Sequence, residues 1–232
     1  MSDRRREKAL EQSRKQLREK ADPELHVRKA LSQLDSLKRS FSEEAESFRD
    51  WYSIHFTELT ERIEDDRELV EVLEGEVKRE DIKRFEDLAE DSKGKHIRKK
   101  EIRALESSLK SLSTTLETIE QLEEFIRSSV RELAPNLSDL LGEMLAAKII
   151  SAEGDLESLA KQPASTIQTL GAETALFRHL RGEGSAPKHG VIFEHEFVSD
   201  LPEEERGKMA RFLANKAAIA ARLDYYGEKE KG

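Results

Sequence analysis

The sequence contains no cysteine. That removes disulfides, thiolate nucleophiles and cysteine-based zinc sites together. Apolar residues are scarce as well: 36% are hydrophobic, against roughly 45–50% in an ordinary soluble domain. No apolar run approaches the roughly 20 residues of a membrane-spanning helix, so no membrane contact is expected. The start of the chain, Met1-Ser2-Asp3-Arg4-Arg5-Arg6, leads into charged sequence without the apolar stretch of a signal peptide. A soluble chain in the cytoplasm is the expectation. What is abundant is charge. Charged residues make up 38% of the 232, where roughly 25% is usual, a balance that suits long exposed helices beside one smaller packed domain.

The net charge of −9 conceals a strong asymmetry. Between Phe41 and Glu90 stand 18 acidic and 7 basic residues. Between Ser92 and Arg103 stand six basic residues and one acid, Glu101. Between Arg206 and Leu223 there are five basic residues and no acid. Charge acts within a Debye length of roughly 8–10 Å, so an acidic total does not argue against an anionic partner.

Hydrophobic spacing predicts an all-α protein. Leu31, Leu34, Lys38, Phe41, Ala45, Phe48, Tyr52, His55 and Leu59 follow one another at alternating steps of three and four. Leu105, Leu109, Leu112, Leu116, Ile119, Glu123, Ile126, Val130 and Leu133 do the same. Both are heptad seams, broken by Lys38, His55 and Glu123, and two such helices fold back most simply as a long antiparallel coiled-coil hairpin. The tip, about 61–100, carries short amphipathic pieces interrupted by Gly75 and Gly94. It is either a small helical cap or a self-association site using Val72, Phe85 and Leu88. Pro135 and Asn136 end the second long helix, and charge density falls beyond them. The expected division is a charged N-terminal helix or tail at 1–24, a coiled-coil domain at 25–134, a mostly helical domain at 135–226 and a charged tail at 227–232.

In the second domain Leu137, Leu140, Leu141, Met144, Leu145 and Ile149 form a helix face, and Gly154 and Pro163 punctuate short elements. A helix is predicted from about 172 to 181 and a flexible loop at 182–187. Val191-Ile192-Phe193 reads as a short strand-like segment. Ser199 or Asp200 is expected to N-cap a last long helix, with Pro202 and three Glu residues in its first turn. On that helix, at ~100° per residue, Lys208, Arg211, Asn215 and Arg222 share a stripe about 60° wide. Met209, Ala210, Phe212, Leu213, Ala217, Ile219, Ala220 and Leu223 are expected to face a core, with Lys216 inside their arc. A basic stripe without interleaved acids suits phosphate contacts; the plainer alternative is a solvated face.

Catalytic patterns are poor. Gly182-Glu183-Gly184 lacks the Lys-Ser/Thr ending of a phosphate loop. His189 and His195, separated along a strand at ~3.3 Å per residue, would lie roughly 20 Å apart, too far to share an ion. No catalytic residue, metal or other cofactor is expected.

The segments Gly171-Ala172-Glu173-Thr174-Ala175-Leu176-Phe177-Arg178-His179-Leu180, Pro187-Lys188-His189-Gly190-Val191-Ile192-Phe193-Glu194-His195 and Arg206-Gly207-Lys208-Met209-Ala210-Arg211 closely resemble the Nop domain. So do Pro163-Ala164-Ser165-Thr166-Ile167-Gln168 and the closing Ala220-Ala221-Arg222-Leu223-Asp224-Tyr225-Tyr226. The resemblance is strong over about 131–226. It extends more weakly to about residue 25 through Trp51-Tyr52-Ser53-Ile54-His55-Phe56. It is similar to archaeal proteins of box C/D guide-RNA particles, linked to RNA 2′-O-methylation and RNA processing, and a spliceosomal factor shares the domain.

The resemblance implies a ribonucleoprotein-binding scaffold, not an enzyme, docking on a kink-turn RNA already held by a small ribosomal-like protein. The residues it nominates are Gln168, Gly171, Ala172, Glu173, Arg178, Lys188, His189, His195, Lys208, Arg211, Asn215 and Arg222. A histidine can stack on a splayed base while Lys and Arg position phosphates. Core packing explains His189 and Phe193 equally well. Thr174 and Asn215 stand where the family pattern has Lys and Ala. The N-terminal domain that carries fibrillarin in such proteins has no counterpart here, so fibrillarin binding is not expected. The alternative reading is a coiled-coil protein-interaction paralogue without RNA binding.

Overall fold

The computed structural model describes residues 23–73, 75–172 and 190–227, and these form helices and the turns between them. The predicted helix at 172–181 and the loop at 182–187 lie outside the described residues, apart from Ala172. The described residues fall into two compact units, one drawn from Met1–Leu31 with Glu124–Gly232 and the other from Ser32–Glu123.

Two long helices, α1 (Pro23–Ser53) and α5 (Lys99–Leu133), bury their apolar stripes. Leu34, Phe41, Ala45, Phe48 and Tyr52 on α1, and Leu105, Leu109, Leu112, Leu116 and Ile119 on α5, are almost fully enclosed. Two of the residues that break the heptad pattern answer each other: Lys38 Nζ lies 2.5 Å from a Glu123 carboxylate oxygen.

Between these helices run α2 (Thr57–Arg62), α3 (Asp66–Leu73) and α4 (Glu86–Glu90), with 3-10 turns at Arg79–Asp81 and Lys83–Phe85. Leu69, Val70, Leu73, Val77 and Ile82 give the segment its own small core, and Val72, Phe85 and Leu88 are half-buried. Arg49 closes the end of α2, where its guanidinium donates to the carbonyls of Thr60, Ile63 and Glu64 and to Asp66. His55, the third interruption of the seam, is 2% exposed. Its Nδ1 bonds the Lys95 carbonyl at 2.8 Å, and its Nε2 accepts from the Arg79 backbone N–H at 3.3 Å. Those partners require the neutral ring with its proton on Nδ1.

The other unit is organised around α11 (Glu203–Tyr226), against which α6 (Pro135–Leu141), α8 (Leu156–Lys161), α9 (Ala164–Ile167) and α10 (Glu196–Ser199) pack, with α7 (Glu143–Glu153) beside α6 and α8. Pro135 takes the first position of α6, where a missing N–H is harmless. Ala134 leaves no side-chain cap there. The buried Asp224 carboxylate, from the far end of α11, supplies one instead. It accepts from the backbone N–H groups of Asn136 and Leu137, both at 2.9 Å, and from the Asn136 amide at 2.6 Å.

Two expectations fail here. Val191–Glu194 is a 3-10 helix and not a strand-like segment. Among the described residues, Gly190 and Val191 donate to a neighbouring stretch, at Gln168 and Leu170, while Phe193 and His195 bond back to Gly190 and Ile192, so no ladder continues there. The last helix is not capped by Ser199 or Asp200 either. Those residues end α10, and Pro202 precedes the first turn of α11 without a side-chain cap.

Candidate functional site

The nominated residues fall into two groups and an undescribed remainder. The first group is built by a clasp: Gly190 N–H donates to Gln168 and Val191 N–H to Leu170, both at 2.8 Å. Gly171 sits at φ +79, and a Cβ there would stand 2.5 Å from Val191 Cγ1. Both facts demand glycine. The clasp brings Gln168, Gly171 and Ala172 beside the 190–195 segment, whose last residue is His195. His195 Nδ1 caps α10 by accepting the Phe197 N–H at 3.1 Å, and Nε2 lies 3.3 Å from the Leu140 carbonyl. Its ring lies 5.0 Å from that of Phe197, which is 59% exposed.

The second group lies on α11. Taking Arg206 as zero and ~100° per residue, the buried side chains Ala210, Leu213, Ala214, Ala217, Ala218, Ala220, Ala221 and Asp224 cover an arc from about 320° through 0° to 120°. Lys208, Arg211, Asn215 and Arg222 follow at about 140–200°, all exposed. Phe212, Ile219, Leu223 and Tyr226 come next at about 200–260°, and each is between 43% and 55% exposed. This corrects the expectation that Phe212, Ile219 and Leu223 face a core. Alanines make that face because the neighbouring helices approach α11 closely, and the bulky apolar residues are left outside. Lys216 is accordingly exposed, with Nζ 5.6 Å from the Phe212 ring centre.

The five cations of this helix are not equivalent. Arg206 donates to the carbonyls of Leu201 and Ser199 and lies over the Phe193 ring. Arg222 donates to the carbonyls of Ala160 and Gln162, at 3.0 Å each, where α8 ends. Lys208 and Arg211 are exposed on the basic edge. Asn215 returns its amide to the Arg211 carbonyl.

Glu173, Arg178, Lys188 and His189 lie outside the described residues. A wide separation of His189 and His195 required a strand between them, and Val191–Glu194 is a 3-10 helix instead. Among the described residues no group of three or more His, Asp or Glu side chains could hold a metal ion. Nor is any described helix long and apolar enough to cross a membrane. Phe197, Phe212, Ile219, Leu223 and Tyr226 are exposed apolar surface features not expected from the sequence. For the α11 residues the signal was present: alanines and bulky apolar residues occupy different arcs of one helix.

A family model described as "Nop: snoRNA binding domain, fibrillarin" matches residues 33–232. An uncharacterized NOP5 family protein of Methanocaldococcus jannaschii is 34% identical over 218 residues, covering 88% of this chain and 52% of that protein. Human nucleolar protein 56 is 33% identical over 217 residues, 86% of this chain and 36% of that protein. The chain therefore spans between about a third and about half the length of these relatives. A crystal structure of a fibrillarin/Nop5p complex is similar over 97% of this chain and 73% of that one, with a TM-score of 0.54 and 26% identity. That neighbour overturns the expectation that fibrillarin binding is absent. The expectation rested on where the sequence begins, and the start of a sequence does not locate a binding surface.

Proposed function

This chain belongs to the Nop family, and we propose that it serves as a scaffold in box C/D-type ribonucleoprotein assembly, docking on a kink-turn RNA already held by a small ribosomal-like protein. One observation carries the reading: the outer face of α11 sets the basic edge of Lys208 and Arg211 directly beside the apolar edge of Phe212, Ile219 and Leu223. Cations attract phosphate; an exposed apolar row does not, and fits a protein surface. A composite partner presents both. The matching division is a coiled-coil hairpin at 25–134 and a Nop portion at 135–226, and the Lys38–Glu123 pair supports antiparallel pairing of the two long helices. The role requires no chemistry of the chain's own.

Kink-turn RNA binding, measured with and without the ribosomal-like protein, tests this. Affinity should rise sharply when that protein is prebound; equal affinity for naked and protein-bound RNA would sink the idea. Arg211→Ala should cost about 1–2 kcal/mol of binding and flatten the salt dependence by roughly one contact. Leu223→Ser should weaken binding only when the protein is present. Fibrillarin is proposed as a further partner because the similar solved structure is a fibrillarin/Nop5p complex, and co-elution of the two on gel filtration tests it.

The second reading, a protein-interaction module without RNA contact, is favoured by the engagement of Arg206 and Arg222 with main-chain carbonyls. Loss of partner binding in Leu223→Ser, with none in Lys208→Ala and Arg211→Ala, would select it.

A further inference from the structure

We propose that the turn after α1 and the segment leading into α5 form a separate site for single-stranded RNA, in which Trp51 stacks on a base. Lys93, Lys95, Arg98, Lys99, Lys100 and Arg103 are all exposed, and none has a carboxylate partner among the described residues. The segment is pinned rather than loose. Lys95 N–H donates to the Ile54 carbonyl at 2.9 Å, the His55 ring holds the Lys95 carbonyl, and the Arg79 guanidinium holds that of Gly94. Gly94 passes so close that a Cβ would stand 1.8 Å from the His55 carbonyl oxygen. These bonds hold the backbone at Gly94 and Lys95 against the turn after α1, where Ile54 is 54% exposed, next to the last turn of α1, where Trp51 is 40% exposed.

Stability does not explain the arrangement. Lys99 and Lys100 open a 35-residue helix, whose amino end favours acids and repels cations. Glu101 is the sole acid in that first turn, and its carboxylate accepts the Arg98 N–H. The nearby Glu58 carboxylate is bonded to the Ser92 hydroxyl and the Lys93 N–H. Exposed cations on a segment bonded to the turn that follows an exposed aromatic residue suit a nucleic-acid single strand, whose phosphates and bases alternate at close range. An acidic peptide offers the charge without the stacking face.

Trp51 is the only tryptophan in the chain, so its emission reports this site alone. The full chain is titrated with a dodecamer of uridylate, without the ribosomal-like protein, and read by tryptophan fluorescence and by anisotropy of labelled RNA. The expected result is quenching that salt reverses. The triple variant Lys95→Ser, Lys99→Ser, Lys100→Ser should lose tenfold or more in affinity, and the slope of log K on log salt should flatten by about 2. Its melting temperature should hold or rise, since cations leave the amino end of α5; a structural role would lower it. RNA binding that leaves Trp51 emission unchanged overturns the proposal, as does equal quenching by polyglutamate of matched charge. The proposal does not rest on the α11 reading. Substitutions at Lys208 and Arg211 should leave the Trp51 signal intact, so either idea can fail alone.

Discussion

His55 illustrates how one side chain is committed at both ends. Burial pushes its imidazole below the ordinary value of 6.5; the hydrogen bond to Lys95 opposes this, while the neighbouring Arg79 charge reinforces it. Well above pH 6.5 neither the folded nor the unfolded chain binds the proton, and the network contributes fully. As pH falls below 6.5 the unfolded chain takes up the proton before the folded one does, so stability declines down to the folded value. A ring-proton titration by NMR should place the His55 midpoint below 6.5, and the melting temperature should drop between pH 7 and pH 5. A midpoint at or above 6.5 would contradict the buried neutral ring. Arg222 makes the converse point, since an exposed cation holds two carbonyls at the end of α8. Arg222→Ala should lower folding stability by about 1 kcal/mol, on the charged-hydrogen-bond scale discounted for exposure. Denaturant unfolding decides whether any loss of RNA affinity in that variant reflects contact or structure.

At the scale of elements, α6 depends on a residue 88 positions away for the cap its own sequence lacks. Pro135 starts the helix cleanly but brings no acceptor, and Ala134 cannot cap it. The buried Asp224 carboxylate satisfies the first free N–H groups and lies where the helix dipole favours negative charge. Asp224→Ala should cost about 2 kcal/mol or more, because buried donors are left without acceptors. Asp224→Asn keeps an acceptor and should cost less. Thermal unfolding of the two variants separates loss of the cap from loss of packing. The same logic explains why α11 is rich in alanine: α6, α8 and α9 all lean on it, and small residues let backbones approach closely.

For the molecule as a whole, two heptad interruptions that looked like defects form one pair. Lys38 and Glu123, on different long helices, meet at 2.5 Å within a mostly apolar seam. A polar pair in such a seam specifies register more than it adds stability. Replacing Glu123 alone by Leu should destabilise the chain, whereas Lys38→Leu with Glu123→Leu together should recover most or all of the loss. A double-mutant cycle by chemical denaturation measures the coupling. Recovery with broadened or probe-dependent transitions would mark loss of a unique register.

Local order was already written in the sequence. The three-four spacing marked both long helices, Pro135 marked the break between α5 and α6, and Gly154 and Pro163 marked the short elements after it, because backbone propensity and hydrophobic period are properties of neighbouring residues. The motifs around Gly171, His195 and Arg211 pointed to the family before any geometry was known. Partnership across the chain was a different matter. Nothing near Asp224 says that it caps α6, nothing near Arg222 says that it closes α8, and the Val191-Ile192-Phe193 run has the composition of a strand. The orientation of α11 likewise depended on which helices approach it: hydrophobicity alone would bury Leu223 and Ile219, but close packing selects the small side chains for the interface. Those choices are made by long-range contacts, and only the tertiary structure contains them.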